Sequence, residues 1–196
     1  MTASESVVPG SLELIRGELD LLIERAITDA TGESGDPFEP LVGLLADADR
    51  VFVIGAGRSG LALRMTAMRL MHLGLEVHVV GDVTTPAITA GDVLLTASGS
   101  GTTGAIVRAA ENAAEEGARI GVVTTAPDSA LARLATAVVS VPAADKVDRS
   151  GTSSAQYAGG LFEQFVVVLG DALFHSLWKR SGLSADDLWP RHANLE

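Results

Sequence analysis

The stretch Asp92-Val93-Leu94-Leu95-Thr96-Ala97-Ser98-Gly99-Ser100-Gly101-Thr102-Thr103-Gly104 joins an apolar run to a loop of glycines and hydroxyl side chains. The run 92–96 is short and apolar, as expected for a parallel strand buried on both faces. A helix is predicted to begin near Thr103. Backbone N–H groups and hydroxyls at such a passage from strand to helix bind phosphate well, so the stretch predicts a phosphate site.

Strands and helices alternate on both sides of this stretch. The predicted strands are 51–54, 76–80, 92–96, 119–124 and 137–141, and the helices between them are 59–73, 103–116 and 128–134. Repeated units of this length predict right-handed crossovers, a parallel sheet and helices on both of its faces. We therefore expect an α/β fold, a three-layer αβα sandwich with a five-stranded sheet in the order 2-1-3-4-5.

The remaining segments are helical by their hydrophobic periodicity. Helices are predicted at 11–28 and 38–47 before the sheet, and a long apolar helix at 152–180 after it, interrupted by Gly159-Gly160. The 196 residues fit one domain, 1–196, divided into an N-terminal helical segment (1–48), an α/β core (50–150) and a C-terminal helix and tail (151–196). The first segment serves either as packing or as a subunit interface.

Composition excludes several classes of partner and site. A formal net charge of -11 argues against broad contact with nucleic acid or an anionic membrane. The absence of cysteine excludes disulfides, thiolate catalysis and cysteine zinc sites, and we expect no metal. No signal peptide is recognisable in residues 1–10, and the longest apolar stretch is too short to span a bilayer, so a cytoplasmic location is expected.

A second glycine loop, Gly55-Ala56-Gly57-Arg58-Ser59-Gly60, follows the first strand. Its G-x-G-x-x-G spacing, with Asp82 after the second strand, also fits a dinucleotide-binding fingerprint. In a sheet of order 2-1-3-4-5, however, the ends of strands one and three adjoin, so both loops face one crevice. They would then surround a single phosphomonoester, although each loop could also be an ordinary turn whose hydroxyls cap a helix.

Several motifs resemble one known family. The run 98–103 resembles the S-x-S-G-[ET]-[TS] signature of sugar isomerase (SIS) domains, which bind phosphosugars. The loop 55–60, the run Ala67-Met68-Arg69-Leu70-Met71-His72-Leu73-Gly74, the pair Phe162-Glu163 and the ending Arg191-His192-Ala193-Asn194-Leu195-Glu196 are similar to the 6-phospho-3-hexuloisomerases among them. The likeness covers essentially the whole chain.

The resemblance implies a function and a set of phosphate-binding residues. Members interconvert D-arabino-hex-3-ulose 6-phosphate and fructose 6-phosphate, the second step of the ribulose monophosphate route of formaldehyde fixation, and the resemblance implies a cofactor-free homotetramer. Carried over by position, Ser59, Ser98, Ser100 and Thr103 supply the phosphate hydroxyls, and Gly99 supplies a backbone N–H. Arg58 adds a permanent charge beside the site, and Gly57 of the same loop completes the predicted substrate-binding residues. Thr102 stands where many SIS domains have Glu, so it is assigned no contact.

The proton chemistry needs a base and, for hydroxyl protons or ring opening, a second group. A carboxylate in a partly apolar setting suits the base because loss of hydration makes it more basic. Glu163, between Phe162 and Phe165, meets this description, and the resemblance places the base there. Histidine suits the second role; His192 in the polar tail is preferred because a tail can reach a neighbouring subunit's crevice, with His72 as the alternative.

Two other functions stay open at this point. The first is a non-catalytic phosphosugar sensor, since SIS domains also serve as ligand modules of regulators; the acidic chain counts against a DNA-binding role. The second is a dinucleotide-dependent enzyme that uses Gly55–Gly60. Lys146 and Arg149, after the fifth strand, are interpreted as solvated loop charges outside the site.

Overall fold

The structure, a computed structural model, describes residues 7–32, 35–144, 148, 154–157 and 159–195. Lys146 and Arg149 lie outside these residues. The elements are the helices α1 (Val8–Ala30), α2 (Glu39–Ala46), α3 (Gly57–Leu73), α4 (Gly104–Glu115), α5 (Gly160–Ser181) and α6 (Ala185–Leu188), and the strands β1 (Val51–Gly55), β2 (Val77–Val79), β3 (Val93–Ala97), β4 (Arg119–Thr124) and β5 (Ala137–Ser140).

The described strands form one parallel sheet in the order β2-β1-β3-β4-β5, as predicted. β1 and β3 are neighbours in register, with Val51 beside Val93 and Gly55 beside Ala97. Their carboxyl ends therefore finish side by side. Both strands are apolar along their length because a central strand of a parallel sheet is covered by helices on both faces.

Helices cover both faces of the sheet. On one face, Val53 and Leu95 pack with buried side chains of α2, α3 and α5, and α1 lies outermost against α5. On the other face, Phe52 and Leu94 pack with Ile106 and its neighbours on α4. The alternation of faces along each strand thus produces the three predicted layers.

α5 has the length and apolar composition of a membrane span, the one such helix among the described residues. Its apolar side chains have another use in this fold: Phe162, Phe165, Val166 and Leu169 are buried in the core that α3 and the sheet share. The apolar composition is accounted for by this packing.

Two predicted elements differ from the structure. The helix at 128–134 is reduced to a 3-10 turn, Ala132–Leu134. The helix predicted from 152 begins at Gly160, with Gly159 as its N-cap in the left-handed region (φ 80°), and the described residues 154–157 are not helical. Residue 152 lies outside the described part. The glycine pair is therefore the start of α5 and not an interruption.

Candidate active site

A pocket of about 140 Å³ opens at the carboxyl ends of β1 and β3. This is the switch point of the sheet, where connections leave neighbouring strands in opposite directions and a crevice forms. Four parts of the chain line it: residues 56–59 from the first glycine loop, residues 97–100 and 103 from the end of β3 and the second loop, Ala144 after β5, and the start of α5 with Phe162 and Glu163. Every predicted substrate-binding residue lies on this lining.

Three helices begin at the pocket. α3 starts at Gly57, α4 follows its N-cap Thr103, and α5 follows its N-cap Gly159, and all three starting segments line the cavity. The free N–H groups and the positive dipole ends of the helices favour an anion there. The contribution of α5 was missed by sequence reasoning, although Gly159-Gly160 marks its start.

Hydroxyl groups complete the lining. Ser59 and Ser98 are buried, and Ser98 Oγ lies 3.4 Å from Thr103 Oγ1. Ser100 Oγ accepts hydrogen bonds from the backbone N–H of Thr102 at 3.3 Å and from Thr102 Oγ1 at 3.1 Å. Thr102 therefore supports Ser100 and is not among the residues that line the pocket.

The second loop is held from behind by the end of β4. The Gly99 carbonyl accepts hydrogen bonds from Thr124 Oγ1 at 3.0 Å, from Thr125 Oγ1 at 2.8 Å and from the Thr125 backbone N–H at 3.1 Å. Gly101 has φ of +60°, and a Cβ there would collide with Ser129 Oγ. The loop is therefore fixed before any ligand arrives, and nothing in its local sequence predicts the two threonines.

Glu163 is in the first turn of α5, and its side chain is 17% exposed. Phe162 and Phe165 beside it are buried, as the sequence suggested. The carboxylate is also paired, because Arg58 Nε donates a hydrogen bond to Glu163 Oε2. Sequence reasoning assigned Arg58 to the phosphate and missed this pair, whose partners are 105 residues apart in the chain.

The two candidate histidines lie together, but at the other end of α3. Their rings stack with centroids 4.6 Å apart, and the Arg191 guanidinium lies against Gly74, just beyond the helix. Burial lowers the pKa of His72, and the nearby His192 and Arg69 lower it further. His72 is 15 residues after Gly57 on α3, or about 22 Å along the helix at 1.5 Å per residue, so neither histidine reaches the pocket of its own chain.

The chemistry of a metal or dinucleotide site is not assembled among the described residues. No group of three or more His, Asp or Glu side chains there is placed to hold a metal ion. Asp82, the acid that a dinucleotide fingerprint requires, forms an ion pair with Arg64 at 3.1 Å and is absent from the pocket lining. The lining and the volume suit a small phosphorylated ligand.

Comparison with known proteins places this chain in a family. The SIS domain model matches residues 44–168. A 3-hexulose-6-phosphate isomerase from Mycobacterium gastri is 54% identical over 182 residues, which cover 93% of this chain and 92% of the relative. The chain belongs to the 3-hexulose-6-phosphate isomerase family of SIS domains.

Further members of the family agree in sequence and fold. A 3-hexulose-6-phosphate isomerase from Bacillus subtilis is 33% identical and spans 83% of this chain and 89% of its own. The crystal structure of a Methanococcus jannaschii protein, for which the function of 3-hexulose-6-phosphate isomerase has been inferred, superposes with a TM-score of 0.80 at 25% identity, covering 95% of this chain and 99% of that one. The predicted resemblance and fold class are confirmed.

Proposed function

We propose that the protein interconverts a hex-3-ulose 6-phosphate, the D-arabino isomer, and fructose 6-phosphate. The observation that carries this function is the meeting of three helix N-termini, buried hydroxyls and one carboxylate in a single small pocket. The helix ends and hydroxyls suit a phosphate, and the carboxylate suits a proton transfer beside it. The names of the family members supply the identity of the sugar.

Glu163 is the proposed base. It takes the proton from C2 of the 3-ketose, a C2=C3 double bond forms, and the electrons of the C3 carbonyl move onto O3 to give a 2,3-enediolate. The O2 hydroxyl proton passes to O3, and the Glu163 carboxyl, whose proton can exchange with solvent, returns a proton to C3 and leaves the carbonyl at C2. A single carboxylate serves both carbons because they are adjacent, so no oxidant or reductant is consumed.

Phosphate binding is assigned to the two loops. Ser59, Ser98, Ser100 and Thr103 supply hydroxyls, and Gly57 and Gly99 supply backbone N–H groups at or beside the helix ends. Arg58 is 66% exposed at the rim, so its guanidinium can contact the substrate while Nε orients the base. This arrangement holds the ligand by one end and presents its carbon chain to Glu163.

Solvent deuterium exchange tests this function directly. Fructose 6-phosphate incubated with the protein in D2O is expected to gain deuterium at C3, measured by NMR, because the enediol forms there reversibly. Production of fructose 6-phosphate from formaldehyde and ribulose 5-phosphate, with a hexulose phosphate synthase added, places the reaction in the ribulose monophosphate route. Binding of fructose 6-phosphate without exchange would identify a sensor instead.

A homotetramer with shared sites is proposed as well, in the cytoplasm. α3 exposes Leu61 (63%), Met65 (51%) and Met68 (54%) at helical spacing, an apolar stripe suited to a second copy. His192, or His72, would then serve a neighbouring subunit's pocket. If one site takes Glu163 from one subunit and His192 from another, mixing Glu163→Gln subunits with His192→Ala subunits should restore activity. Analytical sedimentation measures the number of subunits.

A further inference from the structure

Glu18, on the outermost helix α1, binds the segment that leads into α5. Its carboxylate accepts hydrogen bonds from Ser154 Oγ at 2.7 Å, from the Ala155 backbone N–H at 2.6 Å and from Gln156 Nε2 at 3.0 Å. Burial raises the pKa of Glu18, but these three bonds outweigh it and hold the pKa below its usual value. Three donors on one carboxylate form a directed contact, unlike a solvated surface charge.

Gln156 extends the contact to the first turns of α5. Its Nε2 donates to Glu18, and its Oε1 accepts a hydrogen bond from Gln164 Nε2 at 2.7 Å. A carboxylate can only accept, so Glu18 decides which end of the Gln156 amide faces Gln164. Gln164 Oε1 is buried with no partner among the described residues, so the bond to Gln156 is what orients this side chain.

The same segment decides where α5 begins. The Gly160 backbone N–H donates to the Tyr157 carbonyl at 3.2 Å, and the Glu163 N–H donates to the Gly159 carbonyl at 3.2 Å. Glu163 is thus in the first turn, directly after the segment that Glu18 holds. A shift in the starting point of α5 would move the carboxylate relative to the two loops.

We infer that Glu18 is a positioning residue that holds Glu163 in place through Gln156 and Gln164. The inference rests on the proposed function, in which Glu163 is the base. α1 packs against the core through the buried Leu22 and partly buried neighbours such as Leu19 and Ile23. Most of its other side chains are exposed, and Glu18 adds a directed polar contact to the segment before α5. Glu18 also lies outside the residues 44–168 that match the SIS model.

The test compares Glu18→Gln with Glu24→Gln, the same change at an exposed position of the same helix. For Glu18→Gln, kcat should fall about tenfold or more, because a small misplacement of a reacting group has effects of this size, while KM changes less than about twofold. Amide hydrogen exchange at residues 161–164 should speed up. Glu24→Gln should change neither quantity.

A double-mutant cycle separates positioning from general support of the fold. If Gln156 transmits the effect, Gln156→Met with Glu18→Gln should lose no more kcat than either change alone; full additivity would overturn the inference. Unchanged kcat and exchange in Glu18→Gln would also overturn it. Ser154→Ala removes the bond from Ser154 Oγ to Glu18 and the bond from the Gln156 backbone N–H to Ser154 Oγ, but leaves Glu18 itself in place. It covers the case in which Glu18→Gln does not fold, and unchanged amide exchange in this variant would equally overturn the inference. An inactive wild-type protein would reject the proposed function, while the exchange measurement still tests the hold of Glu18 on α5.

Discussion

Replacement of Glu163 by glutamine is the sharpest test of the proposed base. The amide has the shape of the carboxylate, so the packing of Phe162 and Phe165 beside it is kept. It cannot accept a proton from carbon, and the loss of a general base costs about 10²–10⁴-fold in rate. Because one carboxylate would serve both transfers, we expect a loss near the upper end, about 10⁴-fold in kcat, or roughly 5.4 kcal/mol of activation free energy.

The effect on stability should be small by comparison. The change removes the ion pair with Arg58, whose side chain is 66% exposed, and an exposed pair contributes about 0–1 kcal/mol. A loss of that size lowers the Tm of a domain this long by at most about 2–4 °C. Activity should therefore disappear in a protein that remains folded at the assay temperature.

Asp171→Asn is the matched control. Asp171 is also on α5 and also pairs with an arginine of α3, Arg69, at 3.0 Å, but it is outside the pocket. Both variants are assayed for kcat, KM and deuterium exchange into fructose 6-phosphate, with Tm measured in parallel. Turnover in Glu163→Gln within about tenfold of wild type, or an equal loss in Asp171→Asn, would refute the assignment of the base.

Three further predictions address the loop and the pH dependence of stability. Gly101→Ala should raise KM about tenfold or more, because a methyl group at this positive φ would collide with the hydroxyl of the buried Ser129. Gly99→Ala should raise KM less, because a Cβ there would lie 3.7 Å from the nearest atom of Phe162. Steady-state kinetics with the phosphosugar compares the two variants. Burial raises the pKa of Asp92, but hydrogen bonds, led by the one from Arg50, outweigh burial and lower the pKa overall. The ionised Asp92 therefore stabilises the fold above pH about 4, and this stabilisation is lost as the pH falls through the pKa of the folded state. Urea unfolding between pH 6 and pH 3 should show the loss, and Asp92→Asn should flatten the pH dependence. Because the pKa of His72 is lowered in the folded state, the unfolded chain binds a proton at this histidine more readily than the folded chain does. Tm should therefore fall as the pH drops below about 6.5. A His72→Phe variant with the same pH dependence of Tm as the wild type would contradict this.

Most of the fold could be predicted because its signals are local. An apolar run such as 119–124 can form a buried strand whatever lies elsewhere in the chain, and that strand was predicted with the bounds that the structure gives it. The helix predicted at 128–134 is wrong because local composition favours a helix there while contacts within the fold do not. The Ser129 backbone N–H donates to the Ala126 carbonyl in a turn, and the Leu131 backbone N–H donates to the Gly101 carbonyl of the neighbouring loop. Tertiary contacts take the hydrogen bonds that a helix would use.

The candidate site divides in the same way. Both glycine loops could be assigned because glycine and hydroxyl residues after a strand have few other uses, and the switch-point rule brings the loops together. Arg58 and Glu163 could not be paired from the sequence, since their contact depends on how α5 packs against α3. His72 and His192 show the opposite case. Histidine is a chemically suitable residue for the second role, but the fold places both histidines at the end of α3 that lies away from the pocket of their own chain.

The sequence by itself determined the layers, the strand order and the two glycine loops that line the pocket, because hydrophobic periodicity and backbone freedom act over a few residues. Only the tertiary structure decided that Arg58 pairs with Glu163, that Thr124 and Thr125 support Gly99, and that Glu18 binds the segment before α5. These contacts join residues 25 to 138 positions apart. Their partners are selected by the packing of whole elements, and no short stretch of sequence records that packing.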